Sequence, residues 1–138
     1  MINPDNSPAS AQQLVEKGEL AFQNNNFSEA YQLFVKAIDA DPGHTQAYNN
    51  LASFYFLQGK LQESIEIFEF IIDYLEPTNL VLENYIAALN KAGQNEKVQL
   101  LQDKLQKRQE IQQAKKRINV VTSIAPRNLE MQRLCIRS

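Results

Sequence analysis

The chain has few of the residues from which cross-links and metal sites are built. Its 138 residues include one cysteine and one histidine. Cys135 therefore has no second thiol for an internal disulfide, and His44 has no histidine partner for a metal site. We expect no metal and no cofactor.

Long apolar runs and signal-peptide features are also lacking. No apolar stretch approaches the roughly 20 residues that a membrane-spanning helix requires, and residues 1–10 contain neither a basic residue nor an apolar segment of the signal-peptide type. With 43% hydrophobic and 22% charged residues, the composition is ordinary for a soluble globular protein. We expect a cytoplasmic protein without membrane insertion.

The motifs of common enzyme classes are missing as well. There is no glycine-rich phosphate loop, no His-Glu zinc helix and no nucleophile elbow, and Cys135 and His44 do not form a catalytic pair by spacing. Glu63, Glu66 and Glu69 follow at three-residue intervals, which is typical of the solvated face of an amphipathic helix. We therefore predict no catalytic residues and no enzymatic activity in this chain.

The sequence does contain a repeat with a period of 34 residues. Small or apolar residues recur at matching positions in residues 11–44, 45–78 and 79–112. In the first unit these are Leu14, Gly18, Ala21, Ala30, Phe34 and Ala37, closed by Pro42. The next units carry Tyr48, Ala52, Tyr55, Ser64, Phe68 and Ile71, then Leu82, Ile86, Leu89, Val98, Gln102 and Leu105.

Each unit is predicted to form two antiparallel helices. Asn25, Gly59 and Gly93 share one position in the period, where a left-handed residue ends the first helix. Small residues at Gly18 and Ala52 would let paired helices approach closely. The predicted helices begin near residue 11 and after residue 26, and then cover about 45–58, 62–75, 79–91 and 95–117.

Two helix starts carry capping patterns. Ser10 stands three residues before Gln13, and Asn26 stands three residues before Glu29. Both spacings are those of a capping box, in which the two residues satisfy backbone N–H groups reciprocally. Residues 1–10 precede the first cap, contain prolines and few apolar side chains, and are predicted to be a disordered lead-in.

The period and its marks resemble the tetratricopeptide repeat family over about residues 11–112. The resemblance implies an all-α fold, a right-handed superhelical solenoid of three helix-turn-helix hairpins, here with an extended last helix and a basic segment at 113–138. In that family the first helix of each hairpin lines a concave groove. We therefore predict a non-enzymatic scaffold or adaptor that binds a peptide or partner protein in this groove.

The candidate groove residues flank the buried stripe of each first helix and are mostly neutral and polar: Gln12, Val15, Glu19, Phe22, Gln46, Asn49, Asn50, Ser53, Phe56, Leu80, Glu83, Asn84, Ala87 and Asn90. Asn50 and Asn84 lie one period apart, and their amides could hold a peptide backbone. The arrangement resembles the asparagine ladder of O-linked N-acetylglucosamine transferases; the alternative is that both are simply solvated. Phe56 is the predicted aromatic anchor, whereas Phe54 and Phe70 are assigned to packing.

Another family comparison argues against one ligand. Repeat proteins that bind the C-terminal carboxylate of chaperones use a clamp of lysine, asparagine and arginine side chains. The matching positions here are Val15, Glu19, Asn50, Leu80 and Asn84, so that only Asn50 agrees. Because no cation is left to pair with a carboxylate, we do not expect a chaperone C-terminus as the partner.

The charge changes sign along the chain. Residues 1–103 carry 5 Lys/Arg against 14 Asp/Glu, a net charge of −9, and residues 104–138 carry 9 against 2, a net charge of +7. A basic arm for nucleic acid is one interpretation, but the basic segment has no aromatic residue for base stacking. Nucleic acid is therefore not the expected partner, and weak nucleic-acid binding ranks third among the functions.

The last residues allow two interpretations. The β-branched run Ile118–Ala125 predicts a strand, and residues 128–137 a short helix. The segment NVVTSIAPRNLEMQRLCIRS resembles the start of a glycosyltransferase-type domain, which makes the alternative function the N-terminal scaffold of a truncated glycosyltransferase. The other interpretation is a tail that caps the last repeat. An apolar stripe on the last helix also favours a homo-oligomer; its members are Val98, Leu101, Leu105, Ile111 and Ile118.

Overall fold

The structure, a computed structural model, describes residues 8–124, with side chains over residues 8–120. Six α-helices form this part of the chain: α1 Ala11–Gln23, α2 Phe27–Ala40, α3 Thr45–Leu57, α4 Leu61–Tyr74, α5 Asn79–Lys91 and α6 Asn95–Ile124. The all-α prediction is confirmed, and the bounds of α1 to α5 lie close to the predicted ones. The described residues divide into two units, with the boundary between residues 99 and 100 inside α6.

One of the two predicted helix caps is present. Ser10 Oγ accepts a hydrogen bond from the Gln13 backbone N–H at 3.2 Å, and Ser10 N–H donates to Gln13 Oε1 at 2.9 Å. The cap predicted for Asn26 and Glu29 is wrong, since the Asn26 side chain makes no capping hydrogen bond. Asn26 has ψ 68° rather than the extended backbone that aims a cap side chain at the helix.

The first helix of each hairpin ends as predicted. Asn25, Gly59 and Gly93 have positive φ angles of 62°, 79° and 75°. In each turn the next residue's N–H donates to a carbonyl five residues back, the longer bond of a Schellman motif. The three bonds are Asn26 to Ala21 at 2.8 Å, Lys60 to Tyr55 at 2.9 Å and Gln94 to Leu89 at 2.9 Å. The same turn therefore recurs three times.

Close helix pairing depends on small residues. A Cβ atom added to Gly18 would lie 2.5 Å from Cε1 of Phe34, whose ring is buried between α1 and α2. In the second hairpin Ser64 Oγ donates to the Ala52 carbonyl at 2.8 Å and is fully buried. Each hairpin thus places a phenylalanine, Phe34 or Phe68, in its core at 2% or 1% exposure.

The first helices form a continuous row. Within residues 8–99, α1 packs on α3 and α3 packs on α5, whereas the backbones of α2 and α4 lie farther apart. Stacked hairpins whose first helices touch while their second helices diverge curve toward the first helices. The row of α1, α3 and α5 is therefore the concave side of this unit.

The strand predicted for Ile118–Ala125 is wrong for the residues that the structure describes. Residues 118–124 continue α6 instead of forming a strand. A lone strand would leave its backbone groups unpaired, while a helix pairs them internally, so the β-branched composition does not decide the outcome here. Val98 of the proposed association stripe is buried, whereas Ile111 and Ile118 are exposed. The predicted helix at 128–137 and most of both the lead-in and the glycosyltransferase-like segment lie outside the described residues.

Candidate functional site

A pocket of about 200 Å³ opens between α1 and α3 on the concave side. We call it the α1–α3 pocket, and its lining residues are Glu19, Phe22, Gln23, Phe34, Asn50, Ser53, Phe54 and Leu57. Glu19, Phe22, Asn50 and Ser53 are among the predicted groove residues. The structure brings these four side chains together around one opening.

The floor of the α1–α3 pocket is apolar and aromatic. Phe34 and Phe54 are 2% and 6% exposed, and the half-buried Phe22 ring meets Phe54 edge-on at 6.2 Å between centroids. Phe27 adds a second edge contact to Phe22 at 5.2 Å. Interlocked rings of this kind hold one another in place, because each edge contact fixes an orientation. Leu57 stands at the rim and is 65% exposed.

The polar side of the pocket is a chain of hydrogen bonds. Gln46 Nε2 donates to Asn50 Oδ1 at 2.9 Å, and Asn50 Nδ2 donates to Glu19 Oε1 at 2.8 Å. A carboxylate only accepts, so the amide nitrogen of Asn50 must face Glu19. Asn50 keeps one further amide N–H and one lone pair for another partner. Its orientation is thus set before any ligand binds.

Asn84 makes a similar bond one repeat later. Its Nδ2 donates to Asn49 Oδ1 at 3.1 Å, joining α5 to α3. Asn49 is only 2% exposed, so its placement in the accessible groove is wrong. Asn50 and Asn84 each use one amide N–H to reach the preceding first helix. Their role as rungs for a ligand stays a prediction.

The prediction that Val15 lines the groove is also wrong. Its side chain is fully buried in a cluster with Ala11, Ala37 and Ala47 and cannot meet a partner. The position points toward α3, so the neighbouring hairpin covers it. The other predicted residues are accessible or half-buried outside the α1–α3 pocket, namely Gln12, Gln46, Phe56, Leu80, Glu83, Asn84, Ala87 and Asn90.

The aromatic residues assigned to packing differ in their exposure. Phe54 is buried as predicted, but Phe70 is 38% exposed and lies against Tyr48 and Tyr74, with centroids 5.1 Å away in both cases. Phe70 is therefore not a core residue, although its ring packs on two neighbouring rings. Phe56 is half-buried on α3, and the Lys91 ammonium lies over its ring at 5.0 Å from the centroid. The predicted anchor is thus partly covered by a cation from α5.

Gln23, Phe34, Phe54 and Leu57 line the pocket although they were not predicted to be in the groove. A helical spacing signal could have found two of them. Residues at i, i+3, i+4 and i+7 share one helix face, and from Asn50 these positions are Ser53, Phe54 and Leu57. These residues therefore form the groove face of α3.

His44 links two helix starts. Its Nδ1 accepts a hydrogen bond from the Ala47 backbone N–H at 3.2 Å and so caps α3. Its Nε2 lies 3.0 Å from Gln12 Oε1 on α1. Because Nδ1 accepts, Nε2 carries the proton and donates to Gln12. Sequence reasoning missed this cap, since histidine is not among the usual capping residues.

Neither a membrane-spanning helix nor a cluster of metal ligands is present among the described residues. Over residues 8–124 no helix combines the length and the apolar character that crossing a membrane requires. In the same part of the chain no group of three or more histidine, cysteine, aspartate or glutamate side chains is arranged to hold a metal ion.

Part of the chain is similar to known proteins. Residues 21–73 match the family model described as tetratricopeptide repeat. The chain is 29% identical over 76 residues to stress-induced-phosphoprotein 1 of Caenorhabditis elegans, a match that covers 55% of this chain and 24% of that protein. The chain thus spans about a quarter of the length of this curated relative.

A solved structure has the same fold. It is the first tetratricopeptide repeat domain of Spaghetti (RPAP3) bound to the HSP90 peptide SRMEEVD, with a TM-score of 0.61 at 23% identity. The likeness covers 70% of this chain and 76% of that one. The family match over residues 21–73 and the fold likeness point to the same arrangement of helical hairpins.

Proposed function

We propose that this chain is a protein-interaction module whose concave groove, formed by α1, α3 and α5, binds a peptide segment of a partner protein. The observation that carries the proposal is the α1–α3 pocket, with its apolar floor and its prearranged polar side. Binding sites commonly combine a concave apolar surface with a few fixed polar groups. We also retain residues 11–112 as the proposed extent of the three repeats.

The similar solved structure supports a peptide as the type of ligand, because it holds an HSP90 peptide. That peptide, SRMEEVD, carries three acidic residues among its last four. At the three positions where the clamp family carries cations, this chain has the buried Val15, the exposed Leu80 and the half-buried Asn84. Glu19 adds a negative charge. We therefore propose a partner other than a chaperone C-terminal carboxylate.

Selection of peptides from a random library on the full chain tests the proposal. Ser53 lines the pocket and is half-buried, so Ser53→Trp fills the opening without removing a core side chain. Gln62→Trp is the matched control, because Gln62 is exposed on α4. We expect selected peptides to bind wild type and Gln62→Trp equally, and Ser53→Trp at least about tenfold more weakly, a loss of about 1.4 kcal/mol.

The readout is fluorescence polarisation of labelled peptides, with circular dichroism to show that both variants fold. Equal binding to all three proteins would move the working surface away from the groove. A library that yields no enriched peptide would refute peptide binding altogether.

A further inference from the structure

We propose that the α1–α3 pocket selects peptides that carry a large apolar side chain with a lysine or arginine within two residues of it. The inference rests on the proposed function and specifies the ligand of the same groove. Three features of the described residues support it: the size of the pocket, its single charged lining residue and the placement of the nearby lysines.

The volume fits one large apolar side chain. The α1–α3 pocket measures about 200 Å³, and an apolar protein cavity of about 150 Å³ is large enough to bind benzene. A leucine, methionine or phenylalanine side chain therefore fits, in contact with Phe22, Phe34 and Phe54. Exclusion of water from this aromatic floor supplies the attraction.

Glu19 gives the pocket its charge. It is the one charged side chain that lines the pocket in the described part of the chain, and it is half-buried. Asn50 donates one hydrogen bond to Oε1, which orients the carboxylate but leaves its negative charge uncompensated. The adjacent helix α3, with the sequence TQAYNNLASFYFL, contributes no charged residue. A ligand cation would supply the missing partner.

The lysines of this unit do not serve that role. Residues 8–99 contain Lys17, Lys36, Lys60, Lys91 and Lys97, and none of these lines the pocket. Lys60 lies over the Tyr55 ring at 5.9 Å, and Lys91 lies over Phe56 at 5.0 Å. Lys97 pairs with Glu69 at 3.1 Å. The pocket therefore favours a cationic ligand and disfavours an acidic one.

The spacing between the two ligand groups follows from peptide geometry. An extended peptide advances about 3.3 Å per residue, and side chains two residues apart point the same way. Glu19 and the aromatic floor line the same small opening. A long lysine or arginine side chain within two residues of the apolar one can therefore reach Glu19.

The test starts from the peptides selected on the full wild-type chain. We expect lysine or arginine to be enriched within two residues of a leucine, methionine or phenylalanine. For one such peptide, replacing the cation by glutamate should weaken binding to wild type at least about tenfold in fluorescence polarisation. On Glu19→Gln the same replacement should change binding by less than about threefold.

Glu19→Gln keeps an oxygen that can accept from Asn50, so the pocket geometry is retained while the charge is removed. Glu66→Gln is the matched control, since it makes the same change at an exposed site on α4 and should keep the full discrimination. Peptides without a cation, or discrimination that persists on Glu19→Gln, would overturn the inference. Ser53→Trp would still block such peptides, so the groove assignment would survive that result. If the library yields no peptide, both proposals fail.

Discussion

The α1–α3 and α3–α5 junctions are related by one 34-residue period, yet their chemistry is opposite. The first has the carboxylate of Glu19 and the exposed Leu57 around an open pocket. At the equivalent positions the second has Ser53 and Lys91, and Lys91 lies over the Phe56 ring. A shared backbone period therefore fixes where a junction lies, while a few surface side chains decide its charge.

The cores below these junctions differ too. Phe34 occupies space that Gly18 leaves free. The next hairpin has Ala52 at the position of Gly18 and Phe68 at the position of Phe34. Phe68 stacks on Tyr85 with centroids 5.8 Å apart. The first hairpin thus packs closely because Gly18 has no side chain. The second hairpin instead has an aromatic contact with Tyr85 of α5.

The largest expected effect comes from truncating these core rings. Phe68→Ala should lower the free energy of unfolding by about 3–5 kcal/mol, the usual loss for a buried phenylalanine. Phe34→Ala should cost about 1 kcal/mol less, because Phe34 borders the pocket and lacks the stacked partner that Phe68 has in Tyr85. Denaturant unfolding followed by circular dichroism measures both. A larger loss at Phe34 would contradict the contrast between the two cores.

A smaller loss is expected for Gly18→Ala. The added Cβ would lie 2.5 Å from Cε1 and 2.7 Å from Cδ1 of Phe34. Overpacking costs about 1–3 kcal/mol, and the better helix propensity of alanine returns about 1 kcal/mol, so a net loss of about 1 kcal/mol should appear in denaturant unfolding. Phe34→Leu should reduce this cost in a double-mutant cycle. If Gly18→Ala stabilises the protein, the ring is not confined as described.

Converting the first junction toward the second should weaken peptide binding. Leu57→Lys places at the pocket rim the residue that the second junction has as Lys91, close to Glu19. We expect about tenfold weaker binding of a cationic peptide in fluorescence polarisation. Stability should change by less than about 0.5 kcal/mol, because Leu57 is 65% exposed. Leu57→Gln removes the apolar group without adding charge; if it weakens binding equally, charge is not the cause.

Alkaline pH should destabilise the second core through Tyr85. Burial raises the pKa of Tyr85 well above its usual value, and the neighbouring Glu69 and Asp73 carboxylates add to the shift. Above about pH 10 the unfolded chain therefore loses this proton first, and the free energy of unfolding falls by at most about 1.4 kcal/mol per pH unit. Leu51, which lies one 34-residue period before Tyr85, has no ionisable group.

Melts at pH 9 and pH 11 measure this effect. Tyr85→Phe should lose less stability between the two values than wild type. Tyr74→Phe is the control, because Tyr74 is 75% exposed and should behave as wild type. An equal loss in all three proteins would show that Tyr85 does not carry the alkaline sensitivity.

Local signals in the sequence predict most of the fold. Asn25, Gly59 and Gly93 mark left-handed turns because few residues tolerate that backbone, and the structure has positive φ at all three. The strand predicted from Ile118 onward was wrong because strand formation is not decided by local signals. β-branched side chains only favour a strand when neighbouring strands are present to pair with it, and that information is not local.

The candidate site was harder to predict because burial there depends on the next repeat. Val15 and Asn49 occupy the same position one period apart, and both are covered, with exposures of 0% and 2%. The following first helix lies over each of them, as the bond from Asn84 to Asn49 shows. Glu83, one period later, is exposed. The apolar pattern of one helix predicts the face that is buried against its own hairpin partner. It does not predict the second face, which is covered by the following first helix.

His44 offers a way to watch the first two hairpins dock. It is the chain's one histidine, and its ring touches the start of α3 through Ala47 and the start of α1 through Gln12. The imidazole proton resonances therefore form an isolated nuclear magnetic resonance signal, with no other histidine to overlap it. If α1 separates from α3, the Gln12 contact is lost while the cap can persist, so this one ring reports the opening of that interface.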